Sequence, residues 1–148
     1  MKTIEREMKE LIAADSNICR NYKLLTSIKG VGPITAIVML CSTLNFTKIT
    51  DHRKFACYCG LAPFEHSSGT SVRGGCHTSS MANRDIKVQL NRSALIAIRC
   101  DPQLKAYYER KVAEGKHKFS VLNAVRAKIA ARCFAIVRRG TPYVALQI

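Results

Sequence analysis

Acidic residues are scarce in this chain. Its 148 residues include 10 aspartates and glutamates against 24 lysines and arginines, a formal net charge of +14 at neutral pH. Asp51, Asp85 and Asp101 stand at the expected starts of helices, where helix capping explains them. No convergent set of carboxylates remains to hold Mg²⁺, so the sequence predicts no metal site and no cofactor in this chain. A basic excess of this size is typical of proteins that bind a polyanion.

Long apolar runs and a disulfide framework are also lacking. The longest apolar stretch, around residues 34–44, falls well short of the about 20 residues of a membrane-spanning helix, so no membrane partner is expected. Seven cysteines are an odd count, scattered over mostly apolar helix positions, which favours reduced thiols and a cytoplasmic location. Cys57 and Cys59 could join Cys76 and His77 at a metal. Their spacing lacks the paired Cys-x-x-Cys motifs of common zinc sites, and core packing is the simpler interpretation.

The N-terminal segment carries a heptad pattern. Apolar residues recur at helical spacing, with one carboxylate in the series: Ile4, Met8, Leu11, Asp15, Ile18, Tyr22 and Leu25. The pattern predicts a coiled-coil-like helix over residues 1–23, which either pairs with a second copy or docks on the chain's own core. Because a lone helix is marginal in water, pairing into a homo-oligomer is favoured. Asp15 either sets the register of the pairing or marks a local contact.

Two glycines flank Val31, between two apolar helix patterns. The order Gly30-Val31-Gly32-Pro33 predicts a helix-hairpin-helix over about residues 24–43, a module that grips nucleic-acid backbone without reading its sequence. Gly30 and Gly32 can adopt positive φ and present no side chain, and Pro33 suits the first helical position. Free backbone N–H groups at that helix start would hold a DNA phosphate. The alternative is a glycine-rich connector without a ligand.

The remainder is expected to be mainly α-helical, with three further helices in its last part. A short helix should run from Asp51 to a stop at Gly60, and the last helix should span residues 118–139. Basic residues at helical spacing give four candidate DNA contacts: Arg84, Arg92, Lys128 and Arg132. Each alone is equally well explained as part of a solvated face, but together with the hairpin they favour nucleic acid.

Residues 61–80 interrupt the helical pattern with hydroxyls and glycines. They predict an irregular loop with room for a short β-hairpin, and a loop of this length in a compact domain is usually functional or disordered. A serine that attacks a phosphodiester needs an exposed hydroxyl, space around it and positive charge. Gly69 offers the space, Arg73 the charge, and His66 could accept the proton. The alternative is a structural or phosphate-contacting loop.

Three motifs in this order resemble the C-terminal half of the IS110, IS116 and IS902 type insertion-sequence transposases. They are Leu-Leu-x-x-Ile-x-Gly-Val-Gly-Pro at 24–33, Phe-Ala-x-x-x-Gly-Leu-Ala-Pro at 55–63 and Ser-Gly-x-Ser-Val-Arg-Gly at 68–74. The resemblance implies that residues 24–148 form the family's transposase domain. Residues 1–23 would then belong to the coiled coil that precedes it.

The resemblance also implies chemistry. The serine that the family joins covalently to DNA corresponds to Ser68, with Gly69, Ser71 and Arg73 in the same motif. The family's Mg²⁺-binding acidic domain of RuvC type is absent from these 148 residues, and a structured guide RNA selects its DNA. The chain alone is therefore not expected to be a competent recombinase. The alternatives are a non-catalytic helix-hairpin-helix DNA-binding module and a truncated regulatory copy acting through the N-terminal helix.

Overall fold

A computed structural model describes residues 2–62, 67–68, 72–73 and 83–145. Within these ranges lie seven helices and two short strands: α1 (Lys2–Ala14), α2 (Ser16–Thr26), α3 (Pro33–Thr43), α4 (His52–Tyr58), β1 (Ser67–Ser68), β2 (Val72–Arg73), α5 (Arg84–Cys100), α6 (Pro102–Ala113) and α7 (Lys118–Arg139). The mainly α fold is confirmed. The strands pair antiparallel, with Ser68 opposite Val72, so the segment expected to be irregular does contain a short hairpin.

Short polar side chains and glycines set the helix ends. The side-chain oxygens of four residues accept backbone N–H groups at the starts of α2, α4, α5 and α6: Asp15, Asp51, Asn83 and Asp101, respectively. Each such cap stabilises a helix by about 1 kcal/mol. The chain then leaves α4 and α6 through Gly60 and Gly115, both at positive φ. The expected stop at Gly60 and the bounds of α7 are confirmed.

The heptad pattern is divided between two helices rather than carried by one. Asp15 has an extended backbone (φ −114°, ψ 120°), and its Oδ1 accepts the N–H groups of Asn17 at 2.8 Å and Ile18 at 3.0 Å. The structure therefore corrects the single helix expected over residues 1–23. Asp15 acts as the N-cap of α2, and the boundary predicted between residues 23 and 24 falls inside α2.

The core lies where α7 meets α2, α4, α5 and α6, with α3 packed on α2 and α5. The predicted apolar face of α7 is fully buried: Leu122, Val125, Ile129, Cys133 and Ile136. Phe55 of α4 packs on Phe134 of α7 with ring centroids 5.4 Å apart. By contrast, α1 is mostly exposed, with Leu11 73% accessible. No helix in the described ranges is long and apolar enough to cross a membrane.

Candidate nucleic-acid interface

The two glycines of the helix-hairpin-helix serve different purposes. Gly30 has φ 93°, and a Cβ built on it would lie 2.7 Å from both Ala97 Cβ and Ser93 O of α5. Gly32 has φ −86°, and an added Cβ there would meet nothing within 4 Å. The positive φ expected at both glycines is thus found only at Gly30. Gly30 lets the hairpin pack on α5, whereas Gly32 keeps the surface open.

The start of α3 offers backbone donors to an anion. Gly32 has no side chain to cap the helix and Pro33 has no N–H, so the N–H groups of Ile34 and Thr35 have no side-chain cap. Val31 is different, because its side chain is buried and its N–H donates to Ile28 O at 3.0 Å. The structure gives Val31 a packing role within the hairpin. A phosphate would meet the donors at the start of α3 instead.

The two residues that flank residues 62–82, the serine segment, are both hydrogen-bonded to the helical body. Asn123 Nδ2 of α7 donates to Leu61 O at 2.9 Å, just before the segment. Asn83 N donates to Tyr58 O at 3.0 Å, just after it, and the Asn83 side chain caps α5. Both ends of the segment are thereby tied to the region where α4, α5 and α7 meet.

Between those ends the β1–β2 pairing sets the backbone register. Ser67 lies opposite Arg73 and Ser68 opposite Val72, so the predicted nucleophile is a residue of β1 and the predicted cation one of β2. Gly69 and Ser71 lie outside the described residues, as does His66. The assignments of all these residues stay predictions.

The four helical cations predicted to contact DNA have different environments. Arg84 and Arg92 are exposed on α5. Lys128 of α7 is also exposed, and its Nζ stands 4.5 Å from the ring centroid of Tyr107, at cation–π distance. These three positions are open to a phosphate. Arg132 is not equivalent to them.

Arg132 belongs to a largely buried corner of the fold, formed with Asp101, Gln103 and Tyr143. Its Nη1 donates to Asp101 Oδ2 at 2.7 Å, Nη2 donates to Gln103 Oε1, and the guanidinium carbon lies 5.0 Å from the centroid of Tyr143. Burial by itself would raise the pKa of Asp101, but the Leu104 N–H and Arg132 hold that pKa below its ordinary value. The charge of Arg132 is therefore largely neutralised within the fold.

Sequence reasoning missed Arg126, which lines a groove between α5 and α7. Its Nε and Nη2 donate to Asn91 Oδ1 at 3.1 and 2.7 Å, and its Nη1 to Asn123 Oδ1 at 3.3 Å. Burial lowers the pKa of this half-buried guanidinium. A signal was available, because Arg126 lies between Val125 and Ile129 at the edge of the apolar face of α7.

Cysteine burial favours packing over metal binding at Cys59. Desolvation raises the pKa of the Cys59 thiol to about 11 and that of Cys133 to about 12, so both are protonated at neutral pH. Cys57 is exposed, and Cys76 and His77 lie outside the described residues. In the described parts of the chain, no three His, Cys, Asp or Glu side chains come together as metal ligands would.

Comparison with known proteins gives a consistent result. The family model described as "Transposase IS116/IS110/IS902 family" matches residues 22–109. A 43.6 kDa insertion element IS110 protein of Streptomyces coelicolor is 39% identical over 121 residues, which is 81% of this chain and 29% of that protein. A pilin gene-inverting protein of Moraxella bovis is 23% identical over 141 residues, 95% of this chain and 44% of that protein. The chain thus spans less than half the length of these relatives.

Proposed function

Because the chain belongs to the IS116/IS110/IS902 family of transposases, we propose that it is the DNA-binding, serine-bearing half of a two-part recombinase. The observation that carries the proposal is the place of the motif around Ser68. It falls inside the family match at residues 22–109 and forms a hairpin whose flanking residues, Leu61 and Asn83, are tied to a basic helical body. A serine that attacks a phosphodiester needs positive charge nearby, and Arg73 of the paired strand β2 is the residue proposed to supply it.

The proposed reaction is an exchange of ester bonds at phosphorus. The hydroxyl oxygen of Ser68 forms a bond to a DNA phosphorus, the bond from that phosphorus to one strand oxygen breaks, and the released oxygen takes up a proton. The serine proton goes to a base, a role that His66 could fill. Since one phosphoester replaces another, no oxidant or reductant is required. Positive charge from Arg73 would stabilise the negative charge on the phosphoryl oxygens in the transition state.

DNA would lie along the exposed cations and the start of α3. The open surface at Gly32, the N–H groups of Ile34 and Thr35, and the basic residues Arg84 and Arg92 all suit phosphate rather than base edges. Contacts of this kind position a duplex without specifying its sequence. We therefore propose that DNA choice is left to a guide RNA, as the family resemblance implies. Mg²⁺ would be bound by an acidic domain outside these 148 residues.

A covalent trap tests the nucleophile. The purified chain is supplied with the family's acidic domain and the DNA ends of its element, and protein–DNA adducts are separated under denaturing conditions. We expect an adduct that disappears in Ser68→Ala. Ser67→Ala and Ser71→Ala are the matched controls, since each removes a neighbouring hydroxyl and should leave the adduct in place.

The same experiment, with DNA binding measured in parallel, separates a different nucleophile from a non-catalytic module. An adduct that survives in Ser68→Ala would mean that a residue other than Ser68 attacks the DNA. DNA binding without any adduct, in all variants, would favour the non-catalytic helix-hairpin-helix module. Those two outcomes cannot be confused, because binding and covalent capture are read separately.

We also propose that two copies associate through an apolar groove between α1, α2 and α3. The groove has a volume of about 510 Å³ and is lined by Met8, Leu11, Ile12, Ile18, Ile37, Leu40, Cys41, Leu44 and Asn45. Leu11 and Leu44 remain 73% and 58% exposed. Uncovered apolar surface of this kind is typical of an interface, and the heptad spacing of Met8 and Leu11 suits a second helix.

Sedimentation of the chain tests this association. Wild-type protein should sediment as a dimer or larger species, and Leu11→Glu should shift it to the monomer. Glu7→Lys, on the same helix but outside the groove lining, provides the matched control. A wild-type monomer at high concentration would contradict the proposed pairing and the truncated-regulator alternative together.

A further inference from the structure

We infer that the groove between α5 and α7 is a phosphate-binding site, which holds a backbone phosphate of the strand presented to the serine segment. This α5/α7 groove has a volume of about 350 Å³ and is lined by Arg84, Lys87, Val88, Asn91 and Arg126. Its role beside Ser68 rests on the proposed function, whereas its affinity for phosphate depends on the contacts of Arg126 and the charges around it.

Arg126 brings a positive charge to the groove. All three of its hydrogen bonds within the described residues go to neutral amide oxygens of Asn91 and Asn123. None of the ion pairs among the described residues includes it. Guanidinium stays protonated at neutral pH even with a lowered pKa. Amides, and not a carboxylate, hold this half-buried cation in place among the described residues. Its charge is therefore available to bind an external anion.

Basic side chains predominate among the described residues of the groove lining. Arg84 and Lys87 add two cations at the first turns of α5, and Asn91 contributes an amide. None of the described residues in the lining is acidic. Arg126 is oriented by both Asn91 and Asn123, so its planar fork is fixed before a ligand arrives. A fixed guanidinium with two neighbouring cations matches a phosphodiester, which carries one charge on two oxygens.

The groove is linked to both ends of the serine segment. Asn123 holds Arg126 with its Oδ1 and holds Leu61 O with its Nδ2. Arg84 directly follows Asn83, the residue that flanks the C-terminal end of the serine segment and caps α5. The groove is therefore built on the residues that tie down both ends of that segment. A strand whose phosphate occupies the groove would pass beside the hairpin that contains Ser68.

The salt dependence of DNA binding tests the site. Affinity of the full chain for a labelled duplex of random sequence is measured over a range of NaCl concentrations. We expect Arg126→Gln to weaken binding about tenfold at low salt and to reduce the slope of log K against log [salt] by about one, the signature of one lost phosphate contact. The matched control is Arg138→Gln, the same charge change at an exposed position of α7. An equal effect of both changes would overturn the site, because net charge alone would then explain the loss.

A second variant protects the test against misfolding. If Arg126→Gln unfolds at the assay temperature, the double change Arg84→Gln/Lys87→Gln replaces it. Neither side chain makes a hydrogen bond or ion pair to other described residues, so the fold should be kept. This variant should lower the salt slope by about one to two. An unchanged slope would refute the groove.

A double-mutant cycle tests whether a carboxylate of the chain itself pairs with Arg126. Of the 10 acidic residues, Glu65 alone lies outside the described ranges. Without DNA, the shifts in melting temperature of Glu65→Gln and Arg126→Gln should add in the double variant. Non-additive shifts, with DNA affinity unchanged in Arg126→Gln, would mean that Glu65 neutralises the guanidinium and would overturn the proposal.

The assignment of Ser68 as the nucleophile and that of the groove as a phosphate site can be tested independently. The Arg126→Gln measurement is repeated in the Ser68→Ala background, where no adduct can form at that residue. A reduced slope there supports the groove whatever becomes of the serine assignment. A normal slope together with an intact covalent adduct in the Ser68 protein would reject the groove and leave the proposed function standing.

Discussion

Two regions of α7 use the same residue type in opposite ways. In the corner formed with Asp101, Gln103 and Tyr143, Arg132 donates to a buried carboxylate at 2.7 Å. In the α5/α7 groove, Arg126 donates only to amide oxygens among the described residues. The corner neutralises its cation within the fold, whereas the groove keeps a cation available. Whether an arginine stabilises the protein or binds a ligand thus depends on its partners and not on its helix.

The corner also performs a second structural task. Asp101 Oδ1 accepts the N–H groups of Gln103 at 2.9 Å and Leu104 at 3.1 Å, while Oδ2 faces Arg132 and Tyr143. One carboxylate therefore caps α6 and holds α7 against it. Among the described residues the groove has no comparable carboxylate, so the two regions can be separated by mutation.

The largest expected difference concerns folding stability. Arg132→Met should lower the free energy of unfolding by about 4 kcal/mol, because it leaves the buried carboxylate of Asp101 without its counter-ion. Arg126→Met should cost about 1 kcal/mol or less, since the amides it leaves are near the surface and can be hydrated. Chemical denaturation of the two variants measures both values. Similar losses would remove the distinction between corner and groove.

The helix-hairpin-helix offers the same contrast, because the fold needs Gly30 whereas Gly32 lies at an open surface. Gly30→Ala should destabilise the protein by about 2 kcal/mol, because the new Cβ would clash with Ala97 and Ser93 O at positive φ. Gly32→Ala should leave the unfolding free energy nearly unchanged, since its surroundings are empty. Thermal unfolding compares them, and DNA binding by Gly32→Ala then tests the start of α3. A stable Gly30→Ala would show that the hairpin does not need its close contact with α5.

The smallest expected effect is a dependence on acid. The pKa of Asp101 is below its ordinary value of 3.8 in the folded protein. The resulting stabilisation is therefore present above about pH 3.8 and is lost as the pH falls through the folded pKa. Melting temperatures measured across this range should fall less steeply in Asp101→Asn than in wild type. Arg126→Gln is the control and should follow the wild-type profile, because none of the described residues that line its groove is a carboxylate.

Sequence patterns predicted the elements whose causes are local. A side-chain cap at Asp51 starts α4, and positive φ at Gly60 ends it. An apolar repeat at helical spacing defines the whole of α7. Each of these causes lies within a few residues of the element it sets. The heptad series failed at Asp15 for a related reason. The Asp15 carboxylate accepts the backbone N–H groups of Asn17 and Ile18. These local hydrogen bonds start a new helix at this point, although the apolar spacing suits one continuous helix.

Candidate site residues were predictable only in part. Exposed Arg84, Arg92 and Lys128 could be recognised from their place on polar faces, and the motif around Ser68 from its resemblance to a family. The pairing of Arg132 with Asp101 joins residues 31 positions apart, and that of Arg126 with Asn91 joins residues 35 apart. Spacing along one helix cannot reveal such contacts.

The sequence by itself determined that this is a basic, mainly helical chain of a transposase family, because charge, apolar spacing and ordered motifs are properties of the linear chain. Tertiary structure alone decided which cations are neutralised and which are left for an anion. It also decided that Gly30 serves packing while Gly32 stays open. The physical reason is that charge neutralisation and close approach depend on distances across helices, and these are fixed only when α5 and α7 come together.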